Sequence, residues 1–137
     1  MVPLIALAAC SHAETEGAAT GQDVVLRVRT PDSTSVEWTL DRLAAELPRV
    51  EMEIDGQPQQ GYLLLDVLEA SGITDWERGE VTGKGEGRAF DVVLEVSPLE
   101  VDQGWILDVT NQGTLKLAAD DLPRDRWVRD VSEISIE

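Results

Sequence analysis

Apolar residues in this chain recur mostly at a spacing of two, in short runs closed by turn-forming residues, and a chain written this way has to assemble a sheet from many brief strands. Val24, Leu26 and Val28 alternate with Val25, Arg27 and Arg29, and Pro31-Asp32-Ser33 supplies the turn that follows. Val50, Met52 and Ile54 alternate with Glu51, Glu53 and Asp55, and Phe90, Val92, Leu94 and Val96 with mostly polar neighbours. Trp105, Leu107 and Val109 are separated from Leu115-Lys116-Leu117 by Asn111-Gln112-Gly113, which spells a hairpin. Trp127-Val128 leads into a last alternating run with Ile134 and Ile136.

Two segments break this rhythm. Leu40, Leu43, Ala44 and Leu47 stand at i, i+3, i+4, i+7 behind Thr39, a capping residue, and ahead of Pro48, which predicts a short helix. Asp55-Gly56-Gln57-Pro58 reads as a loop, and from Tyr62 the helical spacing returns in Leu64, Leu65, Val67 and Leu68. Gly72-Ile73 fits a left-handed helix stop with its apolar contact. Ser97-Pro98-Leu99-Glu100 is a capping-box spelling with proline at the first helical position, so a further turn of helix is expected. Strands interleaved with two or three short helices predict an α+β fold with a mixed, mostly antiparallel sheet. A length of 137 residues supports one core, and no internal repeat is visible.

The N-terminus is written differently. Val2 to Ala9 is a short apolar run ending in small residues and followed at once by Cys10, the shape of a secretory signal and its cleavage point. Leu7-Ala8-Ala9-Cys10 resembles the bacterial lipobox, in which the cysteine carries the lipid; acyl chains contribute ~0.8 kcal/mol per buried methylene, enough to hold a soluble domain at a bilayer. No Lys or Arg precedes Cys10, a departure from the positively charged start of a signal peptide. Residues 11–22 are small and polar and read as a tether. The expectation is a lipoprotein-type signal and flexible tether over 1–22 and a folded domain over 23–137, exported and held at the periplasmic face of a bacterial membrane through lipid alone. No apolar run reaches the ~20 residues of a spanning helix.

This arrangement removes whole classes of chemistry. The only cysteine is Cys10 and the only histidine, His12, lies in the tether, so residues 23–137 cannot supply a Ser-His-Asp or Cys-His arrangement or a His/Cys zinc site. Carboxylates, two lysines and Tyr62 remain, unless a cofactor supplies the reactive centre. Twenty-seven acidic against eleven basic residues give a net charge of −16, which repels nucleic-acid phosphates and argues against nucleic-acid binding.

Gly61-Tyr62-Leu63-Leu64-Leu65-Asp66-Val67-Leu68 with Gly72-Ile73, then Gly113-Thr114-Leu115-Lys116-Leu117, then Trp127-Val128-Arg129, follow one another in an order that resembles the sulfite-oxidase-type molybdopterin-binding domain in a minimal form. The resemblance runs from Thr39 to Glu137. It implies that family's fold and, in its catalytic members, a molybdenum cofactor held by a cysteine thiolate. Here the corresponding stretch is Met52-Glu53-Ile54-Asp55-Gly56-Gln57, without cysteine. The resemblance therefore implies a non-catalytic ligand-sensing or partner-docking module with no cofactor, an envelope protein being the partner in the second case. The alternative is a molybdopterin-dependent oxidoreductase with an atypical ligand such as Asp55, from the loop Asp55, Gly56 and Gln57.

Cations are scarce in so acidic a chain, and Arg88, Lys116 and Arg129 are the candidate contacts for an anionic ligand, against pairing with neighbouring acids. Gly83-Lys84-Gly85-Glu86-Gly87 lacks the Lys-Ser/Thr ending of a phosphate loop and reads as a hairpin loop. Asp120, Asp121 and Asp125 lack the spacing of a calcium loop and read as solvated charge. Glu53 and Asp55 share a strand face as an acid and base would, or as two surface carboxylates. Trp38, Trp105 and Trp127 read as core or core rim, and Trp76, in a polar stretch, as a candidate partner contact.

Overall fold

The computed structural model describes residues 22–85 and 91–137. Cys10, His12, tether residues 11–21, and Arg88 and Phe90 lie outside the described residues. Val24–Arg29 (β1) and Ser35–Thr39 (β2) form an antiparallel hairpin. Thr39 then caps Leu40–Glu46 (α1), its side chain accepting the Arg42 N–H at 3.0 Å. Leu43 is buried, whereas Ala44, on the expected apolar side, is exposed. Val50–Ile54 (β3) and Gln57–Leu63 (β4) are joined by Asp55-Gly56, whose φ angles of 55° and 77° are those a two-residue type I′ hairpin turn requires.

Leu64–Ala70 (α2) ends as its sequence predicts: Gly72 has φ 89°, its N–H reaches the Glu69 carbonyl at 2.9 Å, and the Ile73 N–H reaches the Leu68 carbonyl at 2.9 Å. Those two bonds are the Schellman pattern, and Ile73 and Leu68 are both buried in the core. Gly79–Gly85 (β5) and Asp91–Val96 (β6) pair antiparallel, as do Trp105–Val109 (β7) and Leu115–Ala119 (β8). A 3-10 turn, Arg124–Arg126, leads to Val128–Ile136 (β9).

All nine strands belong to one mixed sheet in the order β2-β1-β9-β8-β7-β4-β3, with β5 and β6 joined to it through β9. Val128 and the segment around Ile134 pair with β5 on one side, and on the other Val128 pairs with β8 while Glu133 to Ser135 pair with β1 in parallel. The sheet therefore forks at β9. One face carries the main core, with Trp38, Tyr62, Trp105, Leu107, Leu117 and Ile134 packed beneath α1 and α2. Residues of opposite parity, Ile106 on β7 and Ala118 on β8, join Ile54 and Trp127 in a small second cluster on the other face.

These strands correct the α+β expectation. Strand accounts for 49% of the described residues and helix for 15%, in two helices of two turns each and the 3-10 turn, so the fold is β-rich. Three segments account for the difference. Gln57–Leu63, expected to be loop and helix start, is a full strand. Gly79–Gly85 takes part of the glycine-rich run into the sheet. Ser97 to Val101 makes only one hydrogen-bonded turn, with the Glu100 and Val101 N–H groups on the Ser97 carbonyl. Trp76 is also corrected, being half-buried against the main core rather than exposed.

Candidate functional site

The β4–β7 ladder runs from Leu63↔Ile106 to Gly61↔Asp108 and stops. Its end has a local cause. Pro58 has no N–H to continue the pairing, and the Gln60 N–H is taken at 2.7 Å by the Asp108 side chain instead of a backbone carbonyl. Beyond this point Pro58 and Gln60 diverge from Val109, Thr110 and Asn111 at the β7–β8 turn, and the gap opens into a cavity of about 630 Å³.

Its far wall is cationic. Lys116 from β8, Arg124 from the 3-10 turn and Arg129 from β9 line the same cavity, around Trp127. Trp127 itself is buried, with its indole N–H on the Leu122 carbonyl at 2.9 Å and the Ala119 carbonyl at 3.2 Å, so the ring is fixed. Lys116 Nζ lies 5.7 Å and the Arg124 guanidinium carbon 5.4 Å from its ring centroid, within the range of a cation–π contact. Among the described residues neither Lys116 nor Arg124 is ion-paired. Arg129 stands beside a bulge: Thr82↔Glu133 is followed by Lys84↔Arg129, and Asp130 takes φ 48°. Gly83 packs against that bulge so closely that a Cβ there would collide with the Arg129 carbonyl oxygen.

The structure thus brings Lys116 and Arg129 together and adds Arg124, which sequence reading passed over because residues 118–126 stood out for their acids. Asp108 and Gln60 were also missed, and only the end of a strand ladder makes them part of a site. Asp55, Gly56 and Gln57 are placed elsewhere, at the tight β3–β4 turn. Asp55 borders a second cleft of about 380 Å³ with Asp120 and Asp121, which shares Arg124 and Trp127 with the first. Among the described residues no three His, Cys, Asp or Glu side chains converge as a metal site would require.

The arrangement can bind an oxyanion and orient it, with three positive charges along one wall and polar groups along the other. A volume of this size lies in the range of small-molecule pockets. The −16 carried by the chain as a whole opposes this attraction at long range, so capture of an anion rests on the three cations at close range. No protein-family model matches this chain, and no curated protein is similar to it.

Proposed function

We propose that the folded domain is a non-catalytic ligand-sensing module that takes a small anionic molecule in the cavity between β4, β7, β8 and the start of β9, and that it works as an exported, lipid-anchored protein. The observation that carries this reading is the convergence of Lys116, Arg124 and Arg129 on one cavity in a chain with only eleven basic residues. Export and lipid attachment rest on the Leu7 to Cys10 pattern, and an envelope protein would read the bound state.

The residues of this cavity meet only part of what a molybdenum cofactor would require. Its cationic wall suits a phosphate, but the described residues contain no thiolate for a metal, and Asp55 faces a different cleft. The donor set does not fit the metal end of that cofactor.

Titration of the whole chain with inorganic phosphate, followed by 15N NMR at low salt, tests the reading. Saturable shifts are expected at Lys116, Asn111 and the Trp127 indole N–H, and Lys116→Gln with Arg124→Gln should abolish them while leaving the thermal midpoint unchanged. Absence of saturable shifts, or shifts that survive the double substitution, would overturn it. So would stoichiometric molybdenum in protein purified from a host that makes the cofactor.

A further inference from the structure

Asp108 and Lys116 are direct partners across the β7–β8 ladder, so their side chains leave the same face of the sheet next to each other. Opposite charges in that position ordinarily pair. Here they do not: Asp108 turns to the Gln60 N–H, its Oδ1 accepting at 2.7 Å, while Lys116 turns to the Trp127 ring. Each charge is held by a different wall of the cavity they both line. A carboxylate has about four acceptor positions, and the Gln60 N–H occupies one. A wall meant only for anions would gain nothing from a carboxylate, because its charge subtracts from that of Lys116, Arg124 and Arg129. The same carboxylate is useful to a ligand that brings donors.

We propose, on the basis of the anion-binding reading, that the ligand is bifunctional: a phosphate ester of a polyhydroxylated skeleton, its phosphate on Lys116 and Arg124 and a hydroxyl donating to Asp108. Asp108 is then the specificity-determining residue of the cavity. The open acceptor positions of Asp108 select for hydroxyl donors, and the cationic wall supplies most of the attraction. Hydroxyl donors that replace water around the half-buried Asp108 carboxylate make charge-assisted hydrogen bonds to it, which added apolar surface cannot supply.

The test compares inorganic phosphate, ribose 5-phosphate and ribose as NMR titrants of the whole chain and of its Asp108→Asn variant. Asparagine keeps an oxygen for the Gln60 N–H and removes the charge, so the turn of the ladder is retained. Ribose 5-phosphate is expected to bind the unaltered chain ~10-fold more tightly than inorganic phosphate, with ribose alone not binding. In Asp108→Asn the ester should weaken by ~10-fold while inorganic phosphate tightens, since a repelling charge is gone. These opposite signs separate recognition from a merely structural role for Asp108. Equal affinity of the ester and inorganic phosphate, or tightening of both in the variant, would overturn the proposal and leave the anion-binding reading standing. Failure of both phosphates to bind would remove that reading and the proposal with it.

Discussion

Thr30 and Thr110 close their hairpins with the same set of bonds. The Thr30 N–H reaches the Thr34 carbonyl at 2.9 Å and the Ser33 N–H returns to the Thr30 carbonyl at 3.0 Å; around Thr110 the equivalent bonds, to Thr114 and from Gly113, are 2.9 and 3.1 Å. The paired hydroxyls lie 2.7 and 2.8 Å apart. Both loops need a left-handed residue at the fourth position, filled by Gly113 at φ 80° in one and by Ser33 at φ 73° in the other. An L residue there is strained by ~1–2 kcal/mol, partly offset by the extra freedom glycine has when unfolded. Ser33→Gly should therefore raise stability by about 0.5–1 kcal/mol and Gly113→Ser lower it by a similar amount, read from urea midpoints. Asp32 adds a pH dependence to the first loop. Hydrogen bonds from the Thr30 and Thr34 hydroxyls and the Thr34 N–H hold its carboxyl below the usual aspartate value. A depressed folded pKa means that the contribution is present above the unfolded value of about 4 and lost as pH falls through the folded one. The stability difference between the unaltered chain and Asp32→Asn should be constant at neutral pH and shrink on acidification below about pH 4; a difference that grows would reverse the assignment.

β4 is the element that positions the cavity and the one least legible in the sequence. Its inward positions toward the second cluster hold Gln59, 1% exposed with no partner for its Oε1 among the described residues, and Gly61, so the strand lacks the apolar alternation that betrays β1 or β3. Gly61 has a packing reason, since a Cβ there would strike the Leu107 carbonyl oxygen of β7. Gly61→Ala should cost about 2–3 kcal/mol and, by prising β4 from β7, also weaken phosphate binding; a change within 0.5 kcal/mol, by the ordinary scatter of surface substitutions, would mean that the ladder yields easily. The helices were readable because caps and stops are local: Thr39 and Gly72 act on groups three to five residues away. Lys116 and Arg129 could be singled out as rare cations, but Arg124 and Asp108 join them only through pairing across four strands. Within the Gly61 to Ile73 stretch that resembles a molybdopterin-binding domain, Gly61 sits at the close approach to β7 and Gly72-Ile73 forms the helix stop.

At the scale of the whole molecule the charge of −16 sets two salt effects of opposite sign. The ion pairs among the described residues are at the surface, from Arg42–Glu46 at 2.8 Å to Arg78–Glu137 at 3.3 Å, and exposed pairs of this kind contribute little. Against them stand crowded like charges, such as Glu80 and Glu95, which face each other directly across β5 and β6 and share the Arg78 guanidinium with Glu137. Repulsion therefore outweighs pairing, and salt relieves it by shortening the screening length from ~10 Å at 0.1 M to ~3 Å at 1 M. The urea midpoint should rise steadily when sodium chloride is raised from low concentration toward 1 M, a salt chosen over sulfate because sulfate strengthens burial in any protein. Phosphate affinity should fall over the same range, because chloride at these concentrations competes with phosphate for the Lys116, Arg124 and Arg129 wall and screens its attraction. A midpoint that falls with salt would show that the surface pairs dominate, and an affinity indifferent to salt would show that the cationic wall is not what holds the anion.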